Sequence, residues 1–208
     1  TKIIYLANPN NPTGTYLTRN QIIDLLDKLP KNIILVLDGA YAEYVIKEDY
    51  DSGFSLADQF ENVIITRTFS KAYGLAGIRL GWCYSSKKVA SILNKVKGPF
   101  NTQRLSQEMA IIALDDKEYL NKVIKSNHET KSWFESELEK IKIKTLPSEG
   151  NFSFVEIANQ EANKISAHLA NSGIIVRQLD SYGLANYLRI TIGTKEEMEA
   201  TINSLKDL

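Results

Sequence analysis

The chain has 208 residues, 43% of them hydrophobic and 24% charged, with 25 basic and 25 acidic side chains cancelling to a formal net charge of zero. This is the balance of a globular protein with a real core, and it excludes a disordered tail, a collagen-like fibre and a coiled coil. A neutral chain has no general pull on nucleic acid or anionic lipid, its one cysteine allows no internal disulfide and no multi-cysteine zinc site, and no apolar run nears the roughly 20 residues of a bilayer span. The expectation is a soluble cytoplasmic protein with no metal, nucleic-acid or membrane partner.

Lys2-Ile3-Ile4-Tyr5-Leu6-Ala7 reads as a buried strand. Because the chain opens on Thr1 directly before that strand, a portion of a longer protein is expected. Asn8-Pro9-Asn10-Asn11-Pro12-Thr13-Gly14 is turn-forming. Thr18 and Gln21 then have the spacing of a capping box, and Ile22, Leu25, Leu26 and Leu29 recur with helical period, which predicts a helix running to Pro30. Ile33-Ile34-Leu35-Val36-Leu37 is a continuous apolar strand ending at Asp38-Gly39, and Val63-Ile64-Ile65 is a second, leading into the small and polar residues 66–77. Strands without polar alternation, separated by helices, predict a sheet covered on both faces. One more strand is expected over residues 79–84, with Cys83 in the core.

Residues 103–141 read as helix with a break at Asp115-Asp116. Short strands near 151–157, 173–177 and 187–192 alternate with helices near 161–171 and 196–205, the last opened by a Thr194/Glu197 capping box. The fold class is therefore α/β, with a mixed, mostly parallel sheet over residues 1–112 and a smaller α+β domain over residues 113–208.

Four charged residues stand out, each with a plainer reading when taken alone. Asp38 ends a buried strand, where α/β sheets place functional groups, but it also suits a turn before Gly39. Lys71, in Thr68-Phe69-Ser70-Lys71-Ala72-Tyr73-Gly74, and Arg79 can be solvated surface cations. Arg189, in Tyr187-Leu188-Arg189-Ile190-Thr191, can be a strand residue facing water. Their mutual chemistry shifts the balance. A lysine that forms an imine with pyridoxal phosphate, a carboxylate that keeps the pyridine nitrogen protonated, and hydroxyls with a guanidinium for the phosphate form one complementary set. Lys71, Asp38, Thr68, Ser70 and Arg79 supply it, and Asn11 and Tyr41 can bond the ring oxygen. His128 and His168 have no metal-ligand spacing, and Gly74, Gly77 and Gly81 match neither a Rossmann nor a phosphate-loop fingerprint.

These stretches carry a resemblance. Residues 8–14, Asp38-Gly39-Ala40-Tyr41, residues 70–79 and Tyr182-Gly183-Leu184-Ala185-Asn186-Tyr187-Leu188-Arg189-Ile190-Thr191-Ile192-Gly193 together resemble the fold-type I pyridoxal-phosphate aminotransferases, and within them the histidinol-phosphate aminotransferases. The resemblance covers essentially the whole chain. It implies that Lys71 is the catalytic anchor and proton carrier, and that Asn11, Asp38, Tyr41, Thr68, Ser70 and Arg79 bind pyridoxal 5'-phosphate. It implies that Arg189, with Asn151 nearby, binds the acidic end of the substrate. It further implies ping-pong amino transfer between L-histidinol phosphate and glutamate/2-oxoglutarate in histidine biosynthesis, and a homodimer in which this portion alone has weak activity or none. Rival expectations are an aromatic or aspartate aminotransferase, an amino-acid-phosphate decarboxylase, and a non-catalytic interaction module on the same scaffold.

Overall fold

The computed structural model describes residues 1–157 and 161–207. The chain forms two compact units, one of residues 1–10 and 16–123, the other of residues 11–15 and 124–208. This division falls after Val123 and groups the turn segment 11–15 with the C-terminal half.

The first unit contains β1 (Ile3–Ala7), α1 (Arg19–Lys28), β2 (Ile34–Asp38), α2 (Phe54–Gln59), β3 (Val63–Thr68), β4 (Gly81–Ser85), α3 (Lys87–Val96), α4 (Arg104–Asp115) and the start of α5 (Lys117–Lys140). Strand order is β1-β2-β3-β4, with the first three parallel and β4 antiparallel to β3. The mixed, mostly parallel sheet expected from the sequence is present. Leu35 and Leu37 of β2 stand beside Val63 and Ile65 of β3, and this face buries Ile22 and Leu26 of α1 and Leu56 of α2. Alternate strand residues share a face, and i, i+4 residues share a helix stripe, so the two periodicities meet at one core. Both arms of the Thr18/Gln21 capping box are formed.

Two expectations for this unit fail because the strands concerned stand at the edges of the sheet formed by the described residues. β1 is an edge strand, and Ile3 and Tyr5 are 50% and 75% exposed, so it is not buried throughout. β4 is the other edge, which leaves Cys83 exposed rather than in the core. That strand begins at Gly81, because Arg79 closes a one-turn 3-10 helix (Ala76–Ile78) with a left-handed φ of 52°. α3 lies where the sequence reading assigned no element. Ser86 caps it, and its apolar residues Ile92, Leu93 and Val96 are exposed.

The second unit contains most of α5, β5 (Lys144–Leu146), β6 (Phe152–Glu156), α6 (Ala162–Asn171), β7 (Arg177–Gln178), β8 (Tyr187–Thr191) and α7 (Lys195–Lys206). Its sheet, ordered β5-β6-β8-β7, is antiparallel throughout. Phe134 and Leu138 of α5, Leu169 of α6, Val155 of β6, Leu188 and Ile190 of β8, and Met198 and Ile202 of α7 fill one core. The break between α4 and α5 falls at Asp116, whose carboxylate accepts the Tyr119 N–H at 2.9 Å. The strand expected over 173–177 shrinks to Arg177–Gln178, and β5 was not foreseen; both are short edge strands with little apolar signal.

Candidate functional site

Parallel pairing brings the C-terminal ends of β1, β2 and β3 together, since Ala7 pairs with Asp38 and Asp38 with Thr66. Ligand groups of open α/β sheets gather at such an edge. Asp38 is held in place by local bonds: its Oδ1 accepts the Ala40 N–H at 3.1 Å and the Thr66 hydroxyl at 3.2 Å. The Asn8 N–H donates to the Asp38 carbonyl at 2.9 Å, and the Asn8 side chain exchanges two bonds with the backbone of Leu17. Three residues past Asp38, Tyr41 is buried.

β3 then delivers the lysine. The loop after Thr68 is closed by the Phe69 N–H on the Leu80 carbonyl at 3.3 Å and the Leu75 N–H on the Phe69 carbonyl at 2.9 Å. Phe69 and Ala72 are buried at 2% and 1%, while Lys71 between them is exposed. Two buried anchors therefore present an exposed cation, and a turn bond from the Gly74 N–H to the Lys71 carbonyl fixes its backbone at 2.9 Å. The Lys71 ammonium lies 5.3 Å from the Tyr41 ring centroid, within cation–π range. Thr68 Oγ1 accepts the Ser70 N–H at 3.0 Å. Gly81 pairs with Thr68, so the turn carrying Arg79 sits beside the end of β3. Ser106 of α4 ties that turn down by donating to the Ile78 carbonyl at 2.9 Å, and Arg79 itself donates to the Ala76 carbonyl at 2.8 Å. Six of the nine residues singled out in the sequence, Asp38, Tyr41, Thr68, Ser70, Lys71 and Arg79, thus lie in the first unit, on the loops and strand ends at this edge.

The other three lie in the second unit. Arg189 Nη1 donates to Asn11 Oδ1 at 2.6 Å, its guanidinium lies 5.4 Å from the Phe152 ring centroid, and its Nε is buried without a hydrogen-bond partner among the described residues. Arg189 is therefore a held side chain and not a freely solvated one. Asn151 immediately precedes β6, and its carbonyl accepts the Ile192 N–H at 2.9 Å. The segment bearing Asn11 is clamped at its far end by the Glu149 N–H on the Gly14 carbonyl at 2.8 Å.

The sequence reading missed the residues that support these groups. Thr66 touches Asp38 directly. Arg67, 6% exposed, forms an ion pair with Glu43 at 3.6 Å. Lys131, 9% exposed, donates to the Ser148 carbonyl, and Ser148 Oγ donates to the Phe152 carbonyl at 2.7 Å. The available signal was a basic residue interrupting an apolar period in Val63-Ile64-Ile65-Thr66-Arg67. Burial raises the Glu43 carboxyl above its ordinary pKa, against the pull of the Arg67 charge. Burial, with the nearby Glu43, Tyr41 and Tyr119, pushes the Tyr44 phenol up to about 12, so it stays protonated at neutral pH.

The model of the class I and II aminotransferases matches residues 1–205. The chain belongs to that family. Among curated relatives it is 44% identical over 209 residues to a histidinol-phosphate aminotransferase of Pelagibacter ubique, covering 99% of this chain and 58% of that protein. It is 42% identical over 205 residues to histidinol-phosphate aminotransferase 2 of Haemophilus influenzae, covering 99% and 56%. The chain thus spans somewhat over half the length of these relatives. A crystal structure of histidinol-phosphate aminotransferase from Sinorhizobium meliloti in complex with pyridoxal-5'-phosphate superposes with a TM-score of 0.91 at 32% identity, covering 99% of this chain and 57% of that one. L-threonine-O-3-phosphate decarboxylase of Porphyromonas gingivalis, at 24% identity and a TM-score of 0.84, shares the fold. Among the described residues no helix is long and apolar enough to cross a membrane, and no group of three or more His, Cys, Asp or Glu side chains is placed to hold a metal.

Proposed function

We propose that the protein transfers an amino group between L-histidinol phosphate and 2-oxoglutarate with pyridoxal 5'-phosphate as cofactor, in the cytoplasmic synthesis of histidine, and that it works as a homodimer. The observation that carries this reading is Lys71, held outward between two buried anchors at the edge where Asp38 ends its strand.

The donor set fits the cofactor's three polar regions. Asp38 has one oxygen committed to Ala40 and Thr66, which holds the carboxylate where it would partner a protonated pyridine nitrogen. Tyr41, with Asn11, would bond the ring oxygen. The hydroxyls of Thr68 and Ser70 and the guanidinium of Arg79 would hold the phosphate dianion. When bound, the cofactor supplies an electron sink for the charge left as a substrate Cα–H bond breaks.

This chain's own contribution is anchoring, proton handling and substrate grip. Lys71, as the free amine, would hold the cofactor through its carbonyl carbon with loss of water and, once the substrate amine has displaced it, would take the proton from the substrate α-carbon and deliver it to that cofactor carbon. Arg189, held by Asn11 and set over Phe152, would grip the acidic end of either substrate, a carboxylate in glutamate or a phosphate ester in histidinol phosphate. A planar guanidinium fork accepts both anions, and Asn151 would lie beside that end. The names of the curated relatives support histidinol phosphate over aromatic or aspartate donors and over decarboxylation.

Borohydride reduction of the protein with pyridoxal phosphate, followed by peptide mapping, tests the anchor. The label is expected on Lys71 and is expected to vanish in Lys71→Ala; a label on any other lysine overturns the reading. Quenching of the bound cofactor's visible band by histidinol phosphate, and not by phenylalanine or aspartate, tests the substrate.

A further inference from the structure

Arg67 is a buried cation that the proposed chemistry leaves unused. In β3, Val63, Ile65 and Arg67 alternate on the buried face, so the strand's period carries a guanidinium toward the core. Burying a charge is costly unless it is paired and fully bonded. Arg67 meets that demand at the base of the Asp38–Tyr41 turn. Its Nη1 donates to the Thr66 carbonyl at 3.1 Å, Nη2 donates to the Ser52 carbonyl, Nε faces Glu43 at 3.6 Å, and its carbon lies 5.6 Å from the Phe54 ring centroid. Glu43 Oε2 is buried with no hydrogen-bond partner among the described residues, which makes Arg67 the charge that compensates it.

The same atoms reach the turn. The Thr66 carbonyl accepts both the Arg67 guanidinium and the Gly39 N–H, the latter at 3.1 Å, while the Thr66 hydroxyl donates to Asp38. A methyl group at Gly39 would stand 1.6 Å from Arg67 Nη1, so the guanidinium occupies the space that any side chain there would need. We propose that Arg67, compensated by Glu43, is a positioning residue that fixes the turn bearing Asp38 and Tyr41 through Thr66 and the open face of Gly39. The cofactor half of this inference rests on the function proposed above.

A buried pair adds little stability over an apolar replacement of similar volume, whereas removing one partner strands the other's charge. The double variant Arg67→Met/Glu43→Leu therefore separates stability from positioning, and Arg67→Lys keeps the charge while losing the planar fork. Backbone amide exchange is followed at Gly39 and Ala40, with Leu35 and Leu37 as internal references, and pyridoxal phosphate is titrated by absorbance. In the double variant the cooperative unfolding transition is expected to persist. Gly39 and Ala40 are expected to exchange at least about tenfold faster than in the parent, Leu35 and Leu37 unchanged, and cofactor affinity to fall by a similar factor, about 1.4 kcal/mol. Arg67→Lys is expected to fall between parent and double variant on both readouts, and it decides the matter if the double variant fails to fold. A purely structural pair would lower the unfolding transition and leave both readouts unmoved. Unchanged exchange, or faster exchange with unchanged cofactor affinity, overturns the proposal. If the parent itself takes up no reducible cofactor, the proposed function falls and the exchange rates alone decide the positioning: faster exchange at Gly39 and Ala40 upholds it, and parental rates overturn it.

Discussion

Replacing Gly14 by alanine probes the clamp that carries Asn11, and its cost can be worked from neighbouring atoms. Gly14 has a φ of 74°, and an added Cβ would lie 2.1 Å from Ser148 Oγ, 2.4 Å from its Cβ and 2.6 Å from its Cα. Ser148 cannot step aside easily, because it is 4% exposed, donates to the Phe152 carbonyl and accepts from Lys131. Gly173 serves as the control, with the same class of backbone, φ 77°, but nothing within 4 Å of the new methyl. The left-handed conformation costs an L-residue about 1–2 kcal/mol, offset by about 0.4–1 kcal/mol from the stiffer unfolded chain. Gly173→Ala should therefore lose about 1 kcal/mol. Gly14→Ala adds an overpacking cost of about 1–3 kcal/mol and strain on the Glu149–Gly14 bond worth about 1 kcal/mol. It should lose about 3–5 kcal/mol in urea unfolding, unless segment 11–15 lifts off Ser148 instead. That escape would show as faster exchange of the Glu149 amide, which donates to Gly14. Stabilities within about 0.5 kcal/mol of each other for the two variants, with the Glu149 amide unchanged, would refute the reasoning; surface substitutions scatter by that much.

Two further outcomes test other parts of the fold. Burial raises the Glu135 carboxyl above 4.5, opposed by the Ser153 hydrogen bond and Lys131 and reinforced by Glu149. The folded state thus holds that proton more tightly than the unfolded chain does. This contribution to stability falls as pH rises from 4.5 through the folded pKa and is flat above it. Glu135→Gln keeps an acceptor for Ser153 and should flatten that decline; parallel pH–stability curves from urea melts would rule the explanation out. Cys83, exposed on the edge strand β4, should react with a thiol reagent in the native protein at the rate of an open thiol. Labelling that waits for unfolding would show the opposite.

Much of the fold was legible because it rests on local chemistry. Both capping boxes, Thr18/Gln21 and Thr194/Glu197, form as their spacing predicts, since a cap is a bond between residues three apart. The apolar runs Ile33-Ile34-Leu35-Val36-Leu37 and Val63-Ile64-Ile65 pair in parallel as their lack of polar alternation implies. The misreadings concern neighbours. Tyr5 and Cys83 sit in runs that look buried, yet edge position exposes them. Residues 173–177 look like a strand, but of these only Arg177, with Gln178 after it, finds a partner in β8.

The candidate site divides in the same way. Lys71, Asp38 and Arg79 were singled out by residue type, chain order and the family resemblance, because a cofactor with distinct charged regions demands distinct chemistry at each.

The sequence by itself determined the two capped helix starts at Thr18 and Thr194 and the buried central strands, and it put forward the groups proposed to meet a cofactor, all from residue type and short-range spacing. Only the tertiary structure decided that Arg189 bonds an amide 178 positions away, that Arg67 enters the core beneath Gly39, and which strands form the edges. Those outcomes depend on which distant segments occupy the same space, and sequence spacing holds no record of that.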